Sequence, residues 1–241
     1  GSTRARPLPR PRAASTPPAA ISVAGGQVFV SDTGRDRVLR YALKSTPPPG
    51  SGPTVEKTLY SGAFASMYPV DIATTNTHYY VVDPGRYRVV GVNRSTKAID
   101  YSVGGSRGSG TDELAAARAV ATDSSGNVYV ADTPNNRIVK YDKTLKFIKQ
   151  WGTKGTAAGQ FTAIYGVAVG PGLDAGGNTT EIVYTIDADR VQTFTRDGAV
   201  INGRFASGFN QPRQIEVNHL NGDVYAVSYT HLRAHETDSY L

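Results

Sequence analysis

Four Asp residues recur along the chain, each followed closely by an Arg, and these pairs have the most evident chemistry in the sequence. A carboxylate can transfer a proton or bind a metal, and a guanidinium can bind an anion. The pairs are Asp32 and Arg37, Asp83 and Arg88, Asp132 and Arg137, and Asp187 and Arg190. Because a repeated unit does not need a catalytic group in every copy, we interpret each Asp as a turn organiser. We expect its carboxylate to accept backbone N–H bonds after a strand and its Arg to pair with it.

Histidine is the other residue type that could support catalysis. The chain has 4 His and no Cys, so disulfides, thiolate metal ligands and a cysteine nucleophile are excluded. We expect His78 and His219 to be exposed turn residues on the face opposite the arginines. His231 and His235 have helical spacing but lie in a suspect tail. Two histidines are too few for a three-His zinc site, no GxSxG, Walker or HExxH motif occurs, and no metal or cofactor is expected.

The Asp–Arg pairs lie in a repeated frame: an apolar strand, the Asp, a short polar turn, the Arg and a second apolar strand. Successive Asp residues are 51, 49 and 55 positions apart, a period typical of repeat architectures. In the most regular copy, alternating apolar runs at 128–130, 138–141 and 147–151 are separated by turn residues. We interpret residues 167–169 as the fourth strand of this meander. The sequence predicts an all-β β-propeller of four-stranded antiparallel blades, about four full blades plus part of a fifth.

The aromatic residues of the strands fall at alternating positions. We expect them to pack between neighbouring blades; they are Tyr41, Tyr129, Tyr141, Trp151 and Phe194.

Binding residues are expected where the copies differ. In a four-stranded blade the turn between the second and third strands emerges on the same side as the connection to the next blade. We therefore predict a ligand-binding face; its residues are Arg35, Arg86, Tyr87, Asn135, Asp189 and Arg213, with Asn136, Met67, Tyr68, Phe161, Tyr165, Phe209 and Asn210 nearby. Arg interleaved with aromatic residues is typical of recognition surfaces for protein, glycan or RNA.

The third copy carries a specific family resemblance. The run VYVADTPNNRIVKYD, followed by FIKQWGTKGTAAGQF and YGVAV, resembles the NHL repeat, which implies a propeller of six blades. The second and fourth copies depart from the pattern, with Tyr87 where Asn or Asp is expected and a shortened turn after Asp187. The resemblance covers roughly residues 21–226 and implies the fold rather than an activity.

The ends of the chain differ from its body. Residues 1–20 are rich in Pro and Arg and are predicted to be a disordered linker. Of the formal net charge of +6, residues 1–20 contribute +4 and residues 227–241 contribute −1, which leaves +3 for the propeller at 21–226. Residues 227–241 resemble translated sequencing-adapter read-through, and we interpret them as a non-native tail. A chain that leaves the repeat at this point is expected to form an incomplete ring.

These features favour a binding or sensing module that recognises a protein, glycan or small ligand through one propeller face. One alternative is a lyase or hydrolase, because two NHL-like enzyme groups rely on clustered histidines. The second alternative is RNA binding, which the mild body charge disfavours. No apolar run is long enough to cross a bilayer. The resemblance to bacterial sensor and secreted propellers implies an extracellular or cell-surface location.

Overall fold

Strands account for nearly all regular structure in the computed structural model, which describes residues 20–24, 27–33, 37–42, 55–58, 69–210 and 212–228. The strands are β1 (Ala20–Ala24), β2 (Gln27–Asp32), β3 (Arg37–Ala42), β4 (Val55–Thr58), β5 (Asp71–Thr74), β6 (His78–Asp83), β7 (Arg88–Asn93), β8 (Ile99–Gly104), β9 (Ala119–Thr122), β10 (Val128–Asp132), β11 (Arg137–Tyr141), β12 (Phe147–Trp151), β13 (Ile164–Leu173), β14 (Thr179–Asp187), β15 (Arg190–Thr195), β16 (Val200–Ser207), β17 (Pro212–Val217) and β18 (Val224–Ser228). Two short 3-10 turns occupy Pro84–Arg86 and Thr133–Asn135.

The strands form five antiparallel sheets, which we call blades one to five. Blades one to four each have four strands in chain order, β1 to β4, β5 to β8, β9 to β12 and β13 to β16, and blade five consists of β17 and β18. The all-β propeller of four full blades plus part of a fifth is therefore confirmed. The incomplete ring stays a prediction, because residues 229–241 lie outside the described residues, as do residues 1–19.

One strand assignment from the sequence is wrong. Residues 167–169 lie in β13, which pairs with β14 and opens blade four, and blade three takes β9 as its first strand. The short run at 119–122 escaped notice because it has only four residues and little alternation. The blade therefore begins with the strand before the Asp–Arg hairpin and ends with β12.

Apolar packing between neighbouring blades holds the propeller together. Each innermost strand packs on the next, β1 on β5, β5 on β9, β9 on β13 and β13 on β17. Tyr141 of blade three packs in one cluster with Tyr80 of blade two. Trp151 and Tyr129 of blade three pack with Phe194 of blade four, with ring centroids 6.1 Å apart between Trp151 and Phe194. The predicted packing between blades is thus confirmed for these aromatic residues.

The packing creates two faces. The turns between the second and third strands and the connections between blades meet on one side, where Gly105 N–H donates to Tyr87 O and Ala188 N–H donates to Ala163 O. We call this side the connection face. The opposite side, where the first and third turns of each blade lie, is called the turn face. This arrangement confirms the predicted placement of the turns.

Candidate functional site

The repeated Asp–Arg pairs form a structural strap on the connection face. Asp132 is buried, and its Oδ2 accepts a bond from Arg137 Nε at 2.9 Å. The corresponding pairs are Asp83 with Arg88 at 3.1 Å and Asp187 with Arg190 at 3.3 Å. The predicted pairing is confirmed for these three; the Arg37 side chain lies outside the described residues.

The backbone partners of these carboxylates differ from the prediction. Asp132 Oδ1 accepts Ala115 N–H at 2.9 Å, and Asp187 Oδ1 accepts Thr162 N–H at 2.9 Å and Ala163 N–H at 2.8 Å. These N–H groups belong to the connection that leads into the first strand of the same blade. The turn after Asp132 has no side-chain cap; it closes through the bond from Asn136 N–H to Thr133 O, with Asn136 in a left-handed conformation. Each Asp therefore anchors the incoming connection.

The paired Arg residues complete this anchor. Arg137 donates to the carbonyl oxygens of Ser109 at 2.6 Å, Gly110 at 3.1 Å and Glu113 at 2.8 Å. Arg190 repeats the pattern one blade later, donating to carbonyl oxygens of the connection that precedes β13. With these donors occupied, Arg137 and Arg190 hold the connections in place.

The predicted binding residues divide into two groups. Asn135 is committed to the fold, because its Nδ2 donates to Gly108 O and to Asp132 Oδ2, both at 2.7 Å. Tyr87 is half-buried with a left-handed backbone, φ 53°, and its carbonyl accepts Gly105 N–H.

The other predicted residues offer more surface on the connection face. Arg86 lies 3.6 Å from Asp83 with 41% of its side chain exposed. Asp189 is exposed and lies 3.9 Å from Arg204, and Arg213 is exposed near the start of β17. Arg35, Met67 and Tyr68 lie outside the described residues.

Four positions, one in each of blades two to five, share one register at the connection-face end of the innermost strands. Each of the four immediately precedes the residue that pairs with the penultimate residue of the second strand of its own blade; they are Val70, Arg118, Tyr165 and Arg213. The Arg118 guanidinium lies 5.9 Å from the Tyr165 ring centroid. We call these four residues the mouth set. Arg118 was not among the residues predicted from the sequence, although an Arg at the start of an innermost strand, as at Arg213 in β17, was the available signal.

The innermost strands enclose a channel that opens toward the turn face as a cavity of about 440 Å³. Strands from all five blades line it; the lining includes Ser22, Ala73, Ala121, Ala168, Glu216 and His219. The first four of these residues are small, which is why the space is open. A second cavity of about 390 Å³ lies beside it on the turn face and shares His219. None of the five described residues of the predicted binding set lines either cavity.

Two acidic residues near the channel have raised pKa values. Burial raises the pKa of Asp71 to about 6, although Val120 N–H at 2.9 Å and Ile72 N–H at 2.8 Å bind its carboxylate and oppose the shift. Glu216 keeps contact with solvent in the cavity, yet partial burial raises its pKa to about 7, and the nearby Asp71 charge adds to that shift. The equivalents of Asp71 in register are Ala20, Ala119, Gly166 and Gln214. Comparing the copies at this position would have singled out Asp71.

The two described histidines lie on the turn face as predicted, but His78 is not an exposed turn residue. It begins β6, its side chain is 12% exposed, and its Nε2 lies 3.0 Å from Asp100 Oδ2. His219 is exposed at the cavity edge. Within the described ranges, no three potential metal-ligating side chains cluster, and no helix is long and apolar enough to span a membrane.

The fold and the strapped blades define a repeat protein of the β-propeller class. Residues 114–141 match the NHL repeat, in the blade where the sequence predicted that resemblance. No curated protein matches the chain. The six-blade number and the truncation stay predictions.

Solved structures support the fold at low identity. A catalytically inactive variant of virginiamycin B lyase from Staphylococcus aureus, with quinupristin, aligns with a TM-score of 0.59 and 10% identity over 88% of this chain and 63% of the lyase. Kuenenia stuttgartiensis hydrazine synthase aligns with 0.61 and 13% over 90% and 57%. A nidogen/laminin complex aligns with 0.55 and 15% over 85% and 68%. This chain thus spans less than two thirds of the length of the first two proteins, and these likenesses show the propeller fold alone.

Proposed function

We propose that this propeller is a binding module that recognises an acidic segment of a partner protein around the mouth set on the connection face. The observation that carries the proposal is the difference between copies at one register position. Val70, Arg118, Tyr165 and Arg213 occupy that position in four blades, whereas the Asp–Arg strap beside them repeats. Arg and Tyr are also the residue types most enriched in binding hot spots.

The charges around the mouth favour an acidic ligand. Outside the Asp–Arg straps, cationic side chains outnumber anionic ones among the described residues of the connection face; the cations are Arg86, Arg107, Arg118, Lys154, Arg204 and Arg213, and the anions are Asp112, Glu113 and Asp189. Such an imbalance raises the association rate of an acidic partner and disfavours basic ones. The anions interspersed on this face disfavour a polyphosphate ligand, which gains its affinity from many simultaneous cation contacts.

A protein partner also fits the rigidity of the face. The straps through Arg137 and Arg190 hold the connections in place, so a partner binds a surface that is already ordered and loses little affinity to ordering it. Our proposal includes the extracellular or cell-surface location expected from the sequence resemblance. The structural likeness to a nidogen/laminin complex is compatible with protein binding by this fold but identifies no partner for this chain.

The test uses fluorescein-labelled oligo-glutamate and oligo-uridine of equal length as probes, with fluorescence anisotropy as the readout. We expect Arg118→Glu and Arg213→Glu each to weaken oligo-glutamate binding about ten-fold. Lys143→Glu, an exposed charge reversal on the turn face, is the matched control and is expected to have little effect.

Four results would overturn the proposal. Equal losses in Lys143→Glu would show nonspecific attraction, and no binding of oligo-glutamate would remove the acidic ligand. Tighter binding of oligo-uridine with a steep salt dependence, lost on substitution of Arg35, Arg86 and Arg213, would favour RNA. Stoichiometric zinc or calcium in the purified full chain would favour the lyase or hydrolase alternative instead.

A further inference from the structure

A hydroxyl, an imidazole and a carboxylate form a hydrogen-bonded chain on the turn face of blade two. Thr77 Oγ1 lies 3.0 Å from His78 Nδ1, and His78 Nε2 lies 3.0 Å from Asp100 Oδ2. Thr77 lies in the turn between β5 and β6, His78 begins β6, and Asp100 is on β8. A nucleophile bound to a base that a third group orients is the arrangement by which hydrolases activate a hydroxyl, and it is recognised by geometry on any fold.

The Asp100 carboxylate fixes the direction of the hydrogen bonds in this chain of groups. Asn93 Nδ2 donates to its Oδ2 at 2.8 Å, and this bond and the one with His78 lower the pKa of Asp100. An ionised carboxylate only accepts hydrogen bonds, so the proton of neutral His78 is on Nε2. Nδ1 then accepts the Thr77 hydroxyl, and His78 is placed as a general base for it.

The surroundings of His78 hold the imidazole in this orientation. Its ring packs on Tyr101, with centroids 5.0 Å apart, and its side chain is 12% exposed. The position is also particular to blade two. The residue five before the end of the second strand differs in the other blades, where it is Gln27, Asn127, Ile182 or Asp223. The blade fold therefore does not require a His at this position.

Thr77 connects these groups to a cavity. It lines the turn-face cavity of about 390 Å³, together with turns of blades two and three. Hydrogen bonds between blades hold the walls: the Tyr80 hydroxyl of blade two donates to Lys143 O of blade three at 2.7 Å, and the Glu181 carboxylate of blade four accepts Ser124 N–H of blade three at 2.9 Å. These contacts join three blades whose strands are all described, so the walls are fixed by the fold.

The lining of this cavity indicates its substrate. All of the described lining residues except Gly126 have a polar side chain, and hydroxyl groups predominate; the hydroxyl-bearing residues are Thr74, Thr75, Thr77, Tyr80, Thr122, Ser124 and Ser125. Asn76 and Lys143 also line it, and amide and ammonium donors are of the kind that stabilise an oxyanion. Such a lining suits a short, polar acyl group and disfavours a long alkyl chain, which would leave the hydroxyl groups without partners.

We propose that Thr77, His78 and Asp100 form an esterase site that hydrolyses small esters with a short, polar acyl group. Thr77 Oγ1 attacks the ester carbonyl carbon while His78 Nδ1 takes the hydroxyl proton; the Oγ1–C bond forms, the C–O bond of the ester breaks, and the proton passes to the departing alcohol. Water then attacks the acyl-threonine, His78 takes a proton from that water, and the C–Oγ1 bond breaks as Thr77 regains the proton. Asp100 is a positioning residue that holds His78. The site lies on the turn face and is distinct from the mouth set.

The test uses p-nitrophenyl acetate with the full chain; the readouts are nitrophenolate release and the site of acetylation by peptide mass spectrometry. We expect an acetyl group on Thr77. Thr77→Ala should lower kcat/KM about 100-fold, whereas Thr77→Ser keeps the hydroxyl and should stay within about ten-fold of wild type. Asp100→Asn should lower kcat about 100-fold and leave KM unchanged, a split that a loss of folded protein would not give for one variant matched in folded concentration. The reaction of p-nitrophenyl hexanoate should be about ten-fold slower than that of the acetate.

Two variants control for the other groups in the cavity. Ser125→Ala removes another hydroxyl from the lining, and His219→Ala removes an imidazole that could attack an activated ester directly; both should react like wild type. No turnover above the buffer rate would overturn the proposal, as would acetylation that spares Thr77, equal losses in either control variant, or wild-type kinetics in Asp100→Asn. Hydrolysis of the hexanoate as fast as the acetate would overturn the polar substrate class. Arg118→Glu should leave hydrolysis unchanged, which separates this test from that of the proposed function.

Discussion

Substitution of Arg137 by Met tests the idea that the Asp–Arg strap holds each blade to its incoming connection. The side chain is buried and donates to Asp132, to Gln150 Oε1 at 2.6 Å and to three carbonyl oxygens of the preceding connection. Met fills a similar volume but leaves the fully buried Asp132 carboxylate without a counter-ion. Removing one partner of a buried ion pair costs about 3–5 kcal/mol.

The remaining losses are smaller than this electrostatic one. Ser109 and Gly110 lie in an exposed stretch, so their carbonyl groups can regain water, and Asp132 keeps the bonds from Ala115 N–H and Asn135. We therefore expect the total to stay within about 3–5 kcal/mol. Arg86→Met is the comparison: its partly exposed pair at 3.6 Å should contribute only about 0–1 kcal/mol.

The assay is urea unfolding followed by the fluorescence of Trp151, the single Trp of the chain, which packs between Tyr129 and Phe194. A double variant, Arg137→Met with Asp132→Asn, should recover part of the loss because it removes the stranded charge. The reasoning is refuted if Arg137→Met unfolds within about 1 kcal/mol of wild type, or if Arg86→Met costs as much.

Two further predictions concern the backbone of blade three and the channel. Gly152→Ala should destabilise the protein by about 2–3 kcal/mol in the same assay, because Gly152 has φ 102° and a Cβ there would lie 2.8 Å from Asn136 O. The control, Gly177→Ala, at φ 80° in open space, should cost about 1 kcal/mol. Equal losses in the two variants would contradict the steric argument. Burial raises the folded-state pKa of Asp71 from 3.8 to about 6, so its contribution to stability is fully present below pH 3.8 and is lost as the pH rises through 6. Asp71→Asn should therefore reduce the loss of unfolding free energy between pH 4 and pH 6. If unfolding curves at the two pH values show the same loss in the variant as in the wild type, the prediction is refuted.

The sequence predicts the fold here because the information is local and repeated. The Asp132 and Arg137 pair, the turn between them and the alternating strands β10 and β11 recur at one period, so each copy confirms the others. The residues that end each strand pattern are also local in sequence, which is why the four full blades could be counted from the sequence alone. The short innermost strand β9 was the exception, since four residues carry too little alternation to be recognised.

The site is harder to predict because it depends on register between distant residues. Arg118, Tyr165 and Arg213 are 47 and 48 positions apart, and only the pairing of each first strand with its second strand shows that they are equivalent. Asn135 is the opposite case, a residue predicted to bind ligand that serves the fold. Its type and turn position suggest a ligand contact, but its amide N–H groups donate to Gly108 O and Asp132 Oδ2. Turn residues of this kind have local hydrogen-bond partners that a sequence does not display.

The same distinction explains where function should be sought on this propeller. Positions that repeat, such as Asp132 and Arg137, are saturated with internal bonds, and a ligand could reach them only by breaking the strap. Positions that share a register but differ in residue type between blades, such as Arg118 and Tyr165, contribute no strap bonds among those the structure describes and are expected to change without unfolding a blade. If Arg118→Glu alters binding of an acidic peptide while the Trp151 unfolding curve stays at the wild-type midpoint, binding and stability reside in separate residues of one face. A loss of both together would show that the mouth set also belongs to the scaffold.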